Sequence, residues 1–119
     1  MKVSGIDATY YTVKDLDKGT KFYTGLLGSE PTFHQASFVS EWTFGGGETF
    51  GLYQTTAENM TPGGSAMFAV ADVAQAVKDA QAMGAKMHEN GDVTDTPVCH
   101  MAFGEDPEGN QFILHKRKQ

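Results

Sequence analysis

At 119 residues, 39% of them hydrophobic and 20% charged, the chain has the size and composition of one globular domain. Its formal net charge of -6 argues against a nucleic-acid partner, because phosphate contacts need a basic face. No apolar run of signal-peptide length opens the chain and none approaches the roughly 18 residues of a membrane span, so a cytoplasmic protein with no membrane partner is expected.

From the N-terminus, residues 8–13 alternate, with Thr9, Tyr11 and Val13 on one face and Ala8, Tyr10 and Thr12 on the other, the pattern of a strand covered by a helix on one side. Asp15 is placed as an N-cap. Leu16, Tyr23, Leu26 and Leu27 form the buried stripe of a helix that stops at Gly28. Three strands follow over 30–38, 41–45 and 48–54, the last two joined by a turn through Gly45, Gly46, Gly47 and Glu48. A polar stretch with Pro and Gly, residues 55–64, interrupts the pattern. Asp72 then caps a second helix, whose stripe is Val73, Ala76, Val77, Ala80 and Met83 and whose stop is Gly84. Strands are expected over 86–93, 98–105 and 110–116, with the turn Asp106, Pro107, Glu108, Gly109, Asn110 opening the last.

The second half repeats the first. Val13 falls on Val70, Asp15 on Asp72 and Lys21 on Lys78 at an offset of 57, and Phe50 falls on Phe112 and Leu52 on Leu114 at an offset of 62. The expected organisation is α+β: one domain of two βαβββ modules, 1–54 and 65–119, joined by the linker 55–64.

The helix entry "VKDLDKGTKFYTGLLG" and the strand opening "DPEGNQF", set in a paired βαβββ order, resemble the glyoxalase, bleomycin-resistance and extradiol-dioxygenase superfamily, the vicinal oxygen chelate (VOC) proteins, over essentially the whole chain. The resemblance implies a curled mixed sheet with a concave cleft for the ligand, helices on the outside, and a homodimer. It also implies where metal-dependent members place their ligands: seven residues before the helix-capping Asp, here Ala8 with its repeat partner Ser65, and three residues after the Asn of the DPxGN turn, here Ile113 with its partner Gly51. Alanine, isoleucine and glycine side chains have no lone pair and a lone serine hydroxyl is a poor ligand, so neither a metal nor another cofactor is expected. No two of His34, His88, His100 and His115 are spaced as a local chelating pair, although His115 shares the face of Ile113. Cys99 is the only cysteine, which excludes an intrachain disulfide and a CxxC motif.

If those four positions face inward, strand alternation and pairing across the final turn place Ala8, Tyr10, Thr12, Gly51, Tyr53, Ser65, Met67, Met101, Phe103, Ile113 and His115 around the ligand. Small residues there leave room, and methionine is an adaptable wall. Three functions remain open. One is a metal-free protein of the drug-sequestering, antibiotic-resistance type, which binds a small aromatic or cationic compound. Another is a lyase-, isomerase- or dioxygenase-like enzyme with a non-standard or metal-free site, for which His115 with Tyr10 or Tyr53 would supply acid and base. The third is a partner-binding domain whose cleft is filled by Met67, Met101 and Phe103.

Overall fold

Two aspartates set the helix starts. Asp15 lies in extended backbone and its carboxylate accepts from the Lys18 amide at 3.0 Å, and Asp72 accepts in the same way from the Gln75 amide at 3.1 Å. Each satisfies a donor that the first helical turn leaves without a backbone partner. Helix α1 (Leu16–Leu27) ends at Gly28, whose φ of 76° is one that glycine adopts without a Cβ clash. Helix α2 (Val73–Ala82) passes through Met83 into Gly84 at φ 99°. This computed structural model describes residues 1–2, 4–56, 58 and 62–118.

Strands β1 (Ala8–Val13), β2 (Phe33–Gln35), β3 (Val39–Thr43) and β4 (Thr49–Gln54) form one sheet in the order β1-β4-β3-β2. Strands β5 (Ala66–Ala69), β6 (Lys86–Met87), β7 (Thr94–Asp95), β8 (Cys99–Glu105) and β9 (Gln111–Arg117) form a second, in the order β5-β9-β8-β6 with β7 also paired to β8. In both, the first and last strands are parallel neighbours and the remaining pairs are antiparallel. The registers repeat too. Tyr10 pairs with Gly51 and Thr12 with Tyr53, while Met67 pairs with Ile113 and Ala69 with His115, which are the same offsets that relate the two halves of the sequence. The fold is α+β with two mixed sheets. The chain divides into two compact units, Met1–Met60 and Thr61–Gln119, and of the expected linker the residues 57 and 59–61 lie outside those described.

In the first unit α1 covers the face that carries Tyr11, Val13, Phe50, Leu52, Ser40 and Trp42, all buried. Leu16, Gly19, Phe22 and Tyr23 are the buried side of the helix. Gly19 is there because a Cβ would stand 3.2 Å from Leu52 Cδ1, so the helix backbone rests on the sheet. Tyr23 packs its ring 4.9 Å from Phe50 and 6.2 Å from Tyr11. In the second unit α2 buries Val73, Val77 and Ala80 on its sheet-facing side, and Ala102, Phe112 and Leu114 are buried in β8 and β9.

The turn before β9 is a hydrogen-bonded clamp. Asp106, 5% exposed, accepts from the amides of Glu108 and Asn110 at 2.9 Å each and from the Asn110 side-chain amide at 3.2 Å. Asn110, 2% exposed, accepts in turn from the Gly63 amide at 3.0 Å, which ties the turn to the chain entering β5. Gly109 supplies the φ of 89° that closes it.

Three expectations need correction. The strand expected over 86–93 stops after Met87, because Glu89, Asn90 and Gly91 take successive φ values of 51°, 58° and 82° and turn the chain. The strand over 30–38 shrinks to β2, and Ser37 at φ 63° turns the chain directly into β3, which begins at Val39 rather than residue 41. Leu26 and Leu27 are half-buried and Met83 is exposed, because the buried side of α1 ends at Tyr23 and that of α2 at Ala80.

Candidate functional site

The strand pairings arrange the face of the first sheet opposite α1 in rows. Tyr10, Gly51 and Glu41 form one row across β1, β4 and β3, and Thr12, Tyr53 and Val39 form the next. Ala8 lies in a third row with Thr49 and Thr43, whose hydroxyls are 2.9 Å apart. Five of the expected site residues, Ala8, Tyr10, Thr12, Gly51 and Tyr53, therefore share one face.

Tyr10 is held there three ways. Its ring lies over Gly51, where a Cβ would come within 2.4 Å of Cε1. It packs against Tyr53 with centroids 4.7 Å apart and planes 33° apart, within the range of favourable aromatic pairs. Its hydroxyl donates a short hydrogen bond to the Glu41 carboxylate. That bond is the main reason the phenol is pushed up to about 12, with desolvation and the charge of Glu41 adding to it. Tyr10 therefore keeps its proton and remains a donor throughout the physiological range. Phe38 adds a third ring, 5.5 Å from Tyr53. Tyr10, Tyr53 and Phe38 are 38%, 37% and 48% exposed, so these rings form a surface and not a core.

Six expected residues belong to the second unit. Met67, Ile113 and Phe103 form one row across β5, β9 and β8, and His115 and Met101 lie in the next with Ala69. Ser65 is exposed and precedes β5 without joining it. Met67 and Phe103 are 52% and 38% exposed, so this apolar row is also open.

The four positions that would hold a divalent ion carry a methyl group at Ala8, no side chain at Gly51, one hydroxyl at Ser65 and a hydrocarbon at Ile113. Three of these offer no side-chain lone pair and the fourth a single hydroxyl, so these side chains do not fit a divalent metal ion. Among the described residues no group of three or more His, Cys, Asp or Glu is gathered as a cation site. The histidines are dispersed: His34 bonds Ser40 Oγ at 2.8 Å on the helix side, His88 pairs with Glu105 at 2.8 Å, and His100 stands 3.6 Å from Asp95. Lys118, at the end of the basic tail, holds the Asp95 carboxyl below its ordinary value by a hydrogen bond and its charge.

Two features of the site were not anticipated from the sequence. Glu41 opens the strand expected over 41–45, a position whose face the sequence pattern leaves undefined; burial of its neighbour Trp42 against α1 turns Glu41 to the opposite side. The space over Gly51 is filled by the Tyr10 ring, not left open for a ligand.

Residues 5–114 match the family model described as Glyoxalase/Bleomycin resistance protein/Dioxygenase superfamily. Among solved structures, a glyoxalase/bleomycin resistance protein from Albidiferax ferrireducens T118 superposes with a TM-score of 0.79 at 21% identity, covering 95% of this chain and 98% of that one. A glyoxalase-related enzyme from Fulvimarina pelagi gives 0.79 at 14% identity, covering 96% and 88%. A lactoylglutathione lyase from Agrobacterium tumefaciens gives 0.75 at 18% identity, covering 97% and 95%. A comparison with curated protein sequences gave no match. At such identities the structures establish a shared fold, and the family match spans nearly the whole chain: the protein belongs to the glyoxalase/bleomycin resistance protein/dioxygenase superfamily.

Proposed function

We propose that the protein binds a small aromatic or cationic compound on the sheet faces opposite its helices, without a metal, in the manner of a drug-sequestering protein. The observation that carries this reading is the exposed cluster of Tyr10, Tyr53 and Phe38, in which Tyr53 packs against both other rings and Tyr10 is fixed by Gly51 beneath it and Glu41 beside it. Fixed rings need no ordering when a flat ligand stacks on them, and each stack contributes about 0.5–1.5 kcal/mol beyond area burial. The open row of Met67, Ile113 and Phe103 offers a second, purely apolar surface. A thermal-shift screen of flat aromatic compounds tests the reading. A ligand at about 100 times its dissociation constant adds about 2.7 kcal/mol of stability, and Tyr10→Ala should remove most of the shift. Elemental analysis of the same preparation should find no stoichiometric zinc, nickel, manganese or iron. No shift across a broad screen, or about one chelator-removable metal per chain, would sink the proposal.

A lyase- or isomerase-like enzyme is the second reading, and one observation favours it. The Glu41 carboxylate and the Tyr10 phenol form a hydrogen-bonded base and acid on an open face. Turnover of a bound compound, lost in Glu41→Gln, separates this reading from binding alone.

We also propose that the chain is a homodimer. Ile6, Phe44 and Val98, large apolar side chains outside the aromatic cluster, are exposed, so association would cover them, and the family resemblance supports the same reading. Light scattering at micromolar concentration should give about twice the 12.9 kDa chain mass; a value at the chain mass refutes it.

A further inference from the structure

The internal repeat provides a comparison within the molecule. Tyr10, Gly51 and Glu41 in the first unit correspond by offset and register to Met67, Ile113 and Phe103 in the second. Because Phe103 occupies the place of Glu41, this position accepts an apolar side chain, and the sheet does not need a carboxylate there. Glu41 is also the one charged side chain among the three paired rows of its face. Its hydrogen-bond partner is the neutral Tyr10 hydroxyl, and the ion pairs found among the described residues, His88–Glu105, His100–Asp95 and Lys118–Asp95, do not include it.

An anion set beside exposed rings affects what can lie on them. A neutral ring stacked on Tyr53 would strip water from the carboxylate and return nothing for it. A ligand with a cationic nitrogen would give Glu41 a partner and would place its charge against the electron-rich faces of the tyrosines. We propose that Glu41 is the recognition point for a cationic nitrogen carried one or two bonds from a flat aromatic ring, with the ring resting on Tyr53 and Phe38. This rests on the binding reading above and sharpens it: the order of affinity is cation, then neutral isostere, then anion.

Three probes of one shape test it: 2-naphthylmethylammonium, 2-naphthylmethanol and 2-naphthoate, titrated by calorimetry or NMR at low salt against wild type and Glu41→Gln. In the wild type the ammonium should bind about tenfold or more tighter than the alcohol, and the naphthoate most weakly, a tenfold step being about 1.4 kcal/mol. Glu41→Gln should erase the preference for the ammonium, the loss of affinity for the ammonium exceeding any change for the alcohol by about tenfold, and its far-UV circular dichroism should match wild type. Added salt should weaken the ammonium alone. Equal binding of ammonium and alcohol, or a preference that survives Glu41→Gln, overturns the cation site and leaves ring binding standing. Failure of all three probes overturns both.

Discussion

Asp106→Ala is expected to lower folding stability by about 2–4 kcal/mol, because it removes the acceptor for the Glu108 and Asn110 amides and the Asn110 side chain in a place where Asp106 and Asn110 are almost wholly buried. Each donor left unpaired costs about 1–3 kcal/mol, less at Glu108, which is only half-buried and which water can reach. For a chain of this size such a loss lowers Tm by on the order of 10 °C. The damage would spread, because Asn110 also holds the Gly63 amide and the Gln111 amide donates to the Gly63 carbonyl at 2.7 Å, so the approach to β5 loses its anchor. Far-UV circular dichroism during urea unfolding is the proper measurement. Trp42 is the only tryptophan and lies in the first unit, so its fluorescence reads that unit's core. Pro107→Ala, which touches none of these bonds, should shift the midpoint by less than about 1 kcal/mol. An unchanged midpoint in Asp106→Ala would mean that the turn is not held by this clamp.

Gly51→Ala is expected to keep the fold and dismantle the aromatic site. The added Cβ would stand 2.4 and 2.5 Å from two Tyr10 ring carbons, but Tyr10 sits on an outer strand and is 38% exposed, so the ring can swing away. The backbone contact is milder, at 3.2 Å to the Ser40 carbonyl, and the cost in stability should stay near 1 kcal/mol. Once displaced, Tyr10 loses both the Glu41 bond and its Tyr53 neighbour. Its ionisation should then fall from about 12 back toward the ordinary 10.0, and Glu41→Gln should do the same without moving the ring. Because the folded phenol is raised above its unfolded value, the stability it contributes is present below pH 10 and is lost between pH 10 and about 12; in Gly51→Ala that loss should vanish. Ultraviolet titration of phenolate, with Tyr10→Phe identifying the contribution of Tyr10, reads the shift. Affinity for a flat ligand that binds wild type should drop about tenfold or more. If Tyr10 titrates as in wild type and binding is intact, the ring does not depend on Gly51 and the account of the site fails.

The repeat of the two halves, the two helix starts, the final turn and the faces of the first and last strands of each half were legible in the sequence, because each follows from chemistry within a few residues. An Asp side chain reaches the amide three positions on, a glycine ends a helix where φ turns positive, and alternate strand residues face opposite ways. The break at Ser37 was not legible, since it is a non-glycine residue at positive φ that no local pattern announces, whereas the Asn90-Gly91 pair is a turn signal that the strand expected over 86–93 overrode. The make-up of the aromatic site lay further out of reach. Tyr10 and Glu41 are 31 residues apart and meet only because β4 inserts between β1 and β3, which puts Gly51 under one side chain and beside the other. Sequence alone identified Gly51 as small; only the order of the strands decided that its missing side chain makes a bed for Tyr10 and brings a phenol to a carboxylate.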